Sequence, residues 1–161
     1  MSSITNSAYP LPMEQACQNY GYILYKTTVE FPGKYEMDTR GIHGRVFIYV
    51  NGEHQHMVYR KDEKQMVTLS FSLTCKHAGN TVENTGRANY GKNLKEPKGI
   101  TQWIWLNNQY IYHWGMYKFE PEVCLGNTSE GKGMLNCRYP RIFKGTFTSD
   151  SIGDTFVSLP G

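Results

Sequence analysis

The chain has 161 residues, of which 39% are hydrophobic and 19% charged, with 17 Lys and Arg against 14 Asp and Glu and a formal net charge of +3. That length fits one domain, or one domain with an extra segment, and can bury a core, but it excludes a (β/α)₈ barrel, which needs about 250 residues and rarely fewer than roughly 200. The cations are scattered, which argues against nucleic acid; no apolar run approaches the ~20 residues of a membrane span; and Met1-Ser2-Ser3-Ile4-Thr5-Asn6-Ser7 has neither the basic nor the apolar region of a signal peptide.

No stretch carries a sustained helical apolar repeat, whereas short β-branched and aromatic runs broken by Gly, Pro and Asn recur throughout, so the pattern is all-β. The first run, Tyr20 to Glu30, stops at Phe31-Pro32-Gly33. Next, Arg45 to Val50 and Glu53 to Arg60 flank Asn51-Gly52, a type I′ hairpin signal. A two-residue loop pairs Val50 with Glu53, Tyr49 with His54, Ile48 with Gln55, Phe47 with His56 and Val46 with Met57. Val46 to Val50, apolar on both faces, reads as a strand buried between layers.

Met66 to Leu73 is a further alternating strand, and Gly99 to Leu106 with Tyr110 to Trp114 form a second expected hairpin around Asn107-Asn108. If that turn has two residues, Trp105 faces Tyr110 and Trp103 faces Tyr112, gathering four aromatics on one side with Ile104 and Ile111 on the other.

The four cysteines Cys17, Cys75, Cys124 and Cys137 have no C-x-x-C spacing, which argues against zinc. Cys124 and Cys137 flank a Gly-rich loop that a disulfide would close easily, and free thiols are the alternative. The loop carries Asn127-Thr128-Ser129, an N-glycosylation pattern suited to a secretory setting.

The stretch Val82-Glu83-Asn84-Thr85-Gly86-Arg87-Ala88-Asn89-Tyr90-Gly91 resembles the V-E-N-x-G-R-x-N-Y-G signature of the non-catalytic β-domain of family 35 glycoside hydrolases, the β-galactosidases. Tyr20 to Thr27 resembles that family's G-Y-x-L-Y-R-T strand, with Lys26 in place of arginine. Phe143-Lys144-Gly145-Thr146-Phe147 and Asp154-Thr155-Phe156-Val157-Ser158-Leu159-Pro160-Gly161 resemble its F-x-G-x-F and D-T-F-x-x-x-P-G strands. The resemblance implies a β-sandwich of the galactose-binding-domain-like jelly-roll type, with no catalytic barrel, no cofactor, and a secreted or lysosomal setting. The expected division is an N-terminal extension at 1–18, the jelly-roll domain at 19–139, and C-terminal strands at 140–161 that complete the sandwich or begin a second, truncated β-domain. One departure is Cys75-Lys76-His77-Ala78-Gly79-Asn80, where the family places apolar residues, so the inner strand there is expected to be weakened or shifted.

Glycoside hydrolysis needs two carboxylates at a set separation, and nothing in the sequence pairs Glu83, Glu96, Glu120 and Glu122. His54 and His56, two apart on a strand, are placed against Tyr49 and Phe47, which favours packing over a metal site. In the signature, Glu83, Asn84, Gly86, Arg87, Asn89, Tyr90 and Gly91 read as a loop whose polar groups satisfy one another, with Arg87 forked onto Glu83 or onto backbone carbonyls.

The aromatic hairpin has three readings: core beneath a second layer, a glycan platform, or a protein interface. The functional expectation is a carbohydrate-binding module for galactose-containing glycans, in which Trp103, Trp105, Tyr110 and Tyr112 stack on the sugar and Asn107, Asn108 or Gln109 bond its hydroxyls. The alternative is an interaction domain that self-associates or docks on a glycosidase barrel.

Overall fold

The computed structural model describes residues 4–60, 66–72, 77–87 and 89–119, together with Thr148 and Gly153. Its regular structure among these residues is strand alone: β1 Ile4–Ser7, β2 Tyr22–Thr28, β3 Gly33–Asp38, β4 Ile42–His43, β5 Arg45–Val50, β6 Glu53–Tyr59, β7 Met66–Phe71, β8 His77–Glu83, β9 Gly99–Ile100, β10 Trp105–Leu106, β11 Gln109–Tyr110 and β12 Trp114–Lys118. They form a six-stranded sheet in the order β1-β12-β2-β8-β5-β6, a four-stranded sheet β11-β10-β3-β7 and a two-stranded β4-β9 pair, all antiparallel.

Period-2 alternation builds both large sheets. In β2, Ile23, Tyr25 and Thr27 are buried while Tyr22, Leu24, Lys26 and Thr28 face outward; in β7, Val67, Leu69 and Phe71 are buried. The inward sets of the two sheets meet in one core with Met37, Val46, Ile48, Ile104, Leu106, Trp114 and Met116. Each such aliphatic side chain contributes roughly 1.5–3 kcal/mol on burial. Tyr25 takes a hydroxyl into this core, and it stays satisfied by donating to the Leu11 carbonyl at 2.8 Å and accepting the Ile100 N–H at 3.3 Å. The chain is thus an all-β sandwich, as the strand pattern implied. Residues set apart as an N-terminal extension take part in it: β1 pairs with β12, and Met13 and Ala16 are fully buried.

Four expectations need correction. Asn51 and Gly52 form the expected turn, with φ of 50° and 84°, and Val50–Glu53 and Tyr49–His54 pair as the turn dictates. A bulge then shifts the register: Ile48 pairs with His56, Phe47 with Met57 and Val46 with Val58, leaving Gln55 as the extra residue. The shift brings Val58 into the core and exposes Met57. Burial also refines β5: Val46, Ile48 and Val50 are buried, but Phe47 and Tyr49 are only half covered.

The strand expected to be weakened, β8, is intact and central. It pairs along its whole length with β2 and over six residues with β5, so two ladders override its His77, Gly79 and Asn80 composition. Finally, Gly99 to Leu106 is not one strand. Gly99–Ile100 pairs with β4, and only Trp105–Leu106 belongs to the hairpin; likewise His113, at φ 62°, breaks Tyr110 to Trp114 and sends the chain into β12 of the other sheet. Cys75, Cys124, Cys137, the glycosylation pattern and all of 140–161 except Thr148 and Gly153 lie outside the described residues.

Candidate functional site

Asn107 and Asn108 both adopt left-handed backbone, with φ of 48° and 64°, which makes a type I′ turn between β10 and β11. Trp105 accordingly pairs with Tyr110 and Leu106 with Gln109, and the Ile111 N–H bonds the Ile104 carbonyl at 3.1 Å. Leu106 also pairs with Met37, docking the hairpin on β3 with Ile104 and Leu106 buried. The opposite side carries the aromatics.

Trp103 is 44% exposed, Tyr110 41% and Tyr112 47%, while Trp105 is half-buried. Ring centroids lie 3.9 Å apart for Trp105–Tyr110, 5.1 Å for Trp103–Tyr110 and 6.0 Å for Trp103–Tyr112, at interplanar angles from 41° to 79°. The rings are therefore tilted against one another and do not lie in a flat plate. Tyr9, from the N-terminal segment, adds a fifth ring 5.0 Å from Trp103. No local pattern in the sequence links it to the hairpin.

Beside the indoles is a cavity of about 410 Å³ lined by Asp38, Arg40, Gly41, Gln102, Trp103 and Trp105. Arg40 bonds both carboxylate oxygens of Asp38 through Nε at 3.0 and 2.8 Å and also through Nη2, while its backbone N–H bonds Oδ1 at 2.9 Å. These bonds to Arg40, opposed by partial burial, hold the Asp38 carboxyl below its ordinary range. Braced this way, the largely exposed guanidinium presents its remaining N–H groups beside the tryptophans. Gly41 is needed for the close approach that shapes the cavity, because a Cβ there would fall 2.6 Å from Gln102 Cβ. Asp38, Arg40 and Gln102 are absent from the sequence-derived site: a β3–β10 pairing brings residues more than sixty positions apart together.

Asn107 is committed elsewhere. Its Oδ1 accepts the Glu36 N–H at 2.8 Å and its Nδ2 donates to the Lys34 carbonyl at 3.3 Å, so the side chain holds the turn against β3. Asn108 is exposed at the tip, as is Gln109.

The signature residues bond mainly within the fold. Glu83, at the end of β8, accepts Arg45 Nε at 2.5 Å. Asn84 donates to the Asn19 carbonyl at 3.0 Å and accepts the Gly86 N–H at 3.0 Å, with Gly86 at φ 97°. Arg87 does not fork onto Glu83. It donates to the Glu96 carbonyl at 3.1 Å and pairs with the Glu14 carboxylate, tying the loop to the N-terminal segment. Burial pushes the Glu14 carboxyl up, but Arg87 and backbone N–H donors outweigh it and leave the net value lowered. Gly91 turns the chain at φ 91°, while Asn89 and Tyr90 are exposed, Tyr90 at 90%. Glu96 is held by Arg60 at 2.6 Å, with buried Lys98 and His43 each 3.6 Å away.

The bulge separates the two histidines. His54 packs on the outward Tyr49 and Phe47 rings, whereas His56 bonds the Thr68 carbonyl of the other sheet at 2.8 Å. Among the described residues no group of three His, Cys, Asp or Glu is placed to hold a metal, and Cys17 is an exposed free thiol.

Comparison with known proteins agrees with this architecture. The family model described as β-galactosidase, first all-β domain, matches residues 10–120. Human β-galactosidase is 28% identical over 182 aligned positions, covering 96% of this chain and 26% of that protein. β-Galactosidase 1 of Dictyostelium discoideum is 25% identical, covering 94% of this chain and 26% of its own length, and β-galactosidase of Xanthomonas manihotis is 30% identical, covering 93% and 25%. The chain thus spans about a quarter of the length of the curated relatives it matches. From Met13 in the core to β12, the matched stretch contains every described strand but β1 and the four aromatics of the β10–β11 hairpin face, and the chain belongs to the family of the first all-β domain of β-galactosidase.

Proposed function

We propose that the chain is a non-catalytic carbohydrate-binding module that takes galactose-type glycans on the face formed by Trp103, Trp105, Tyr110 and Tyr112. The observation that carries this reading is the cavity in which both indoles adjoin Arg40 and Gln102. The apolar C–H face of a pyranose stacks on an indole while nearby polar groups bond its hydroxyls. Asp38 is occupied by Arg40, so the donors and acceptors fall to the outward N–H groups of Arg40, the Gln102 amide and exposed Asn108. Hydrolysis has no support from the carboxylates: Glu83 is held by Arg45 and Glu96 by Arg60, while Glu120 and Glu122 lie outside the described residues. A chromogenic galactoside is expected to give no turnover.

Calorimetric screening against galactose-containing oligosaccharides tests the binding. We expect dissociation constants of order 0.1–1 mM, as one or two stacked rings supply, with binding lost on Trp105→Ala. A screen that finds no sugar ligand, or a variant that binds unchanged, would sink the proposal.

A second reading, docking of the same face on a glycosidase barrel or on another copy, is favoured by the relatives' fourfold greater length and by Tyr9 joining the cluster. Sedimentation at several concentrations separates self-association from glycan binding. Kinship to β-galactosidases also supports a secreted or lysosomal setting.

A further inference from the structure

On the opposite side of the sandwich, the outer face of the six-stranded sheet has a hollow at its centre. One row across the paired strands runs Gly115, Lys26, Gly79, Tyr49, and the next runs Tyr117, Leu24, Thr81, Phe47. Above Gly79 lies a trough of about 440 Å³ lined by Tyr22, Leu24, Tyr49, Thr81, Tyr117 and Phe119. That volume falls within the usual range for small-molecule sites.

The fold itself does not require glycine at 79. Its backbone is not left-handed, and an added Cβ would meet Leu24 Cδ1 alone, at 3.6 Å, an ordinary contact. Glycine is a poor choice for the middle of a central strand and often marks the approach of a ligand or another backbone. Here it keeps the trough open between aromatic walls. Among the described residues that line it, Lys26 and Lys118 are cationic, His77 adds an imidazole, and none is Asp or Glu.

We propose that this trough is a binding site for a small ligand with a flat apolar ring and an anionic group, an aromatic carboxylate or sulfonate. The ring fills the space over Gly79 between the tyrosines, and the anion meets Lys26 and Lys118 at the rim. The site is independent of the carbohydrate face.

Titration with 1-anilinonaphthalene-8-sulfonate, read by fluorescence on the folded protein, tests it. The account expects one saturable site, weakened about tenfold by Gly79→Val and less by Gly79→Ala, since each methyl group takes ring space. Thermal denaturation should show both variants at or above the parent's stability, because β-propensity rises. Lys26→Gln and Lys118→Gln should each weaken binding about threefold at low salt and less at high salt. Trp105→Ala should leave the titration unchanged, so failure here and failure of the carbohydrate reading are distinguishable. Non-saturating binding, or equal affinity in Gly79→Val, would overturn the proposal. So would a dimer that Gly79→Val dissociates, because a second copy would then be the occupant.

Discussion

Asn107 illustrates how a residue chosen for ligand chemistry can be spent on structure. A left-handed turn position favours Asn or Gly, and once the turn packs on β3 the side-chain amide meets the Glu36 N–H and Lys34 carbonyl. Asn107→Ala removes both bonds and strains φ, so we expect a loss of about 1–2 kcal/mol in denaturant unfolding; Asn107→Gly, which keeps the turn, should lose less. Acid stability is a second residue-scale matter. Glu14 and Asp38 both sit below their ordinary values of 4.5 and 3.8 in the folded chain. A depressed carboxylate contributes stability above its unfolded pKa and loses it as pH falls through the folded one. Melting temperature should therefore fall from about pH 5 towards pH 3, and Arg87→Gln, which removes the charged partner of Glu14 and leaves its backbone N–H donors, should show a shallower fall over that window.

Turn chemistry and alternation are local properties, which is why β2, β7 and both type I′ turns could be read from the sequence. The β5–β6 bulge could not, because it is chosen by which side chains reach the core: Val58 enters beside Val46, and Gln55 absorbs the mismatch. Deleting Gln55 leaves the same pairs in a regular ladder, so the variant should fold with stability within about 1 kcal/mol of the parent. Val58→Ala instead empties the inward position opposite Val46 and should cost roughly 2 kcal/mol, both measured by chemical denaturation. Strand β8 was obscured for a different reason. Its His77, Gly79 and Asn80 look wrong for a central strand, yet ladders on both sides hold it, and Asn80 is buried with its side-chain oxygen unpartnered among the described residues.

At the scale of the molecule, the sandwich sets two faces apart: a tilted aromatic cluster beside a braced arginine at one edge, and a glycine-floored trough on the other sheet. The aromatic half of the first was legible because Trp103, Trp105, Tyr110 and Tyr112 are close in sequence. The polar half, Asp38, Arg40 and Gln102, and the fifth ring, Tyr9, were not, because long-range pairing assembles them. The most direct test of the carbohydrate reading is chemical-shift mapping on isotope-labelled protein titrated with a β-galactosyl oligosaccharide. The account predicts saturable shifts of the Trp103 and Trp105 indole N–H signals together with the Arg40 and Gln102 side chains, and none at Gly79. Silence at both indoles up to millimolar sugar, or shifts confined to the six-stranded face, would contradict it.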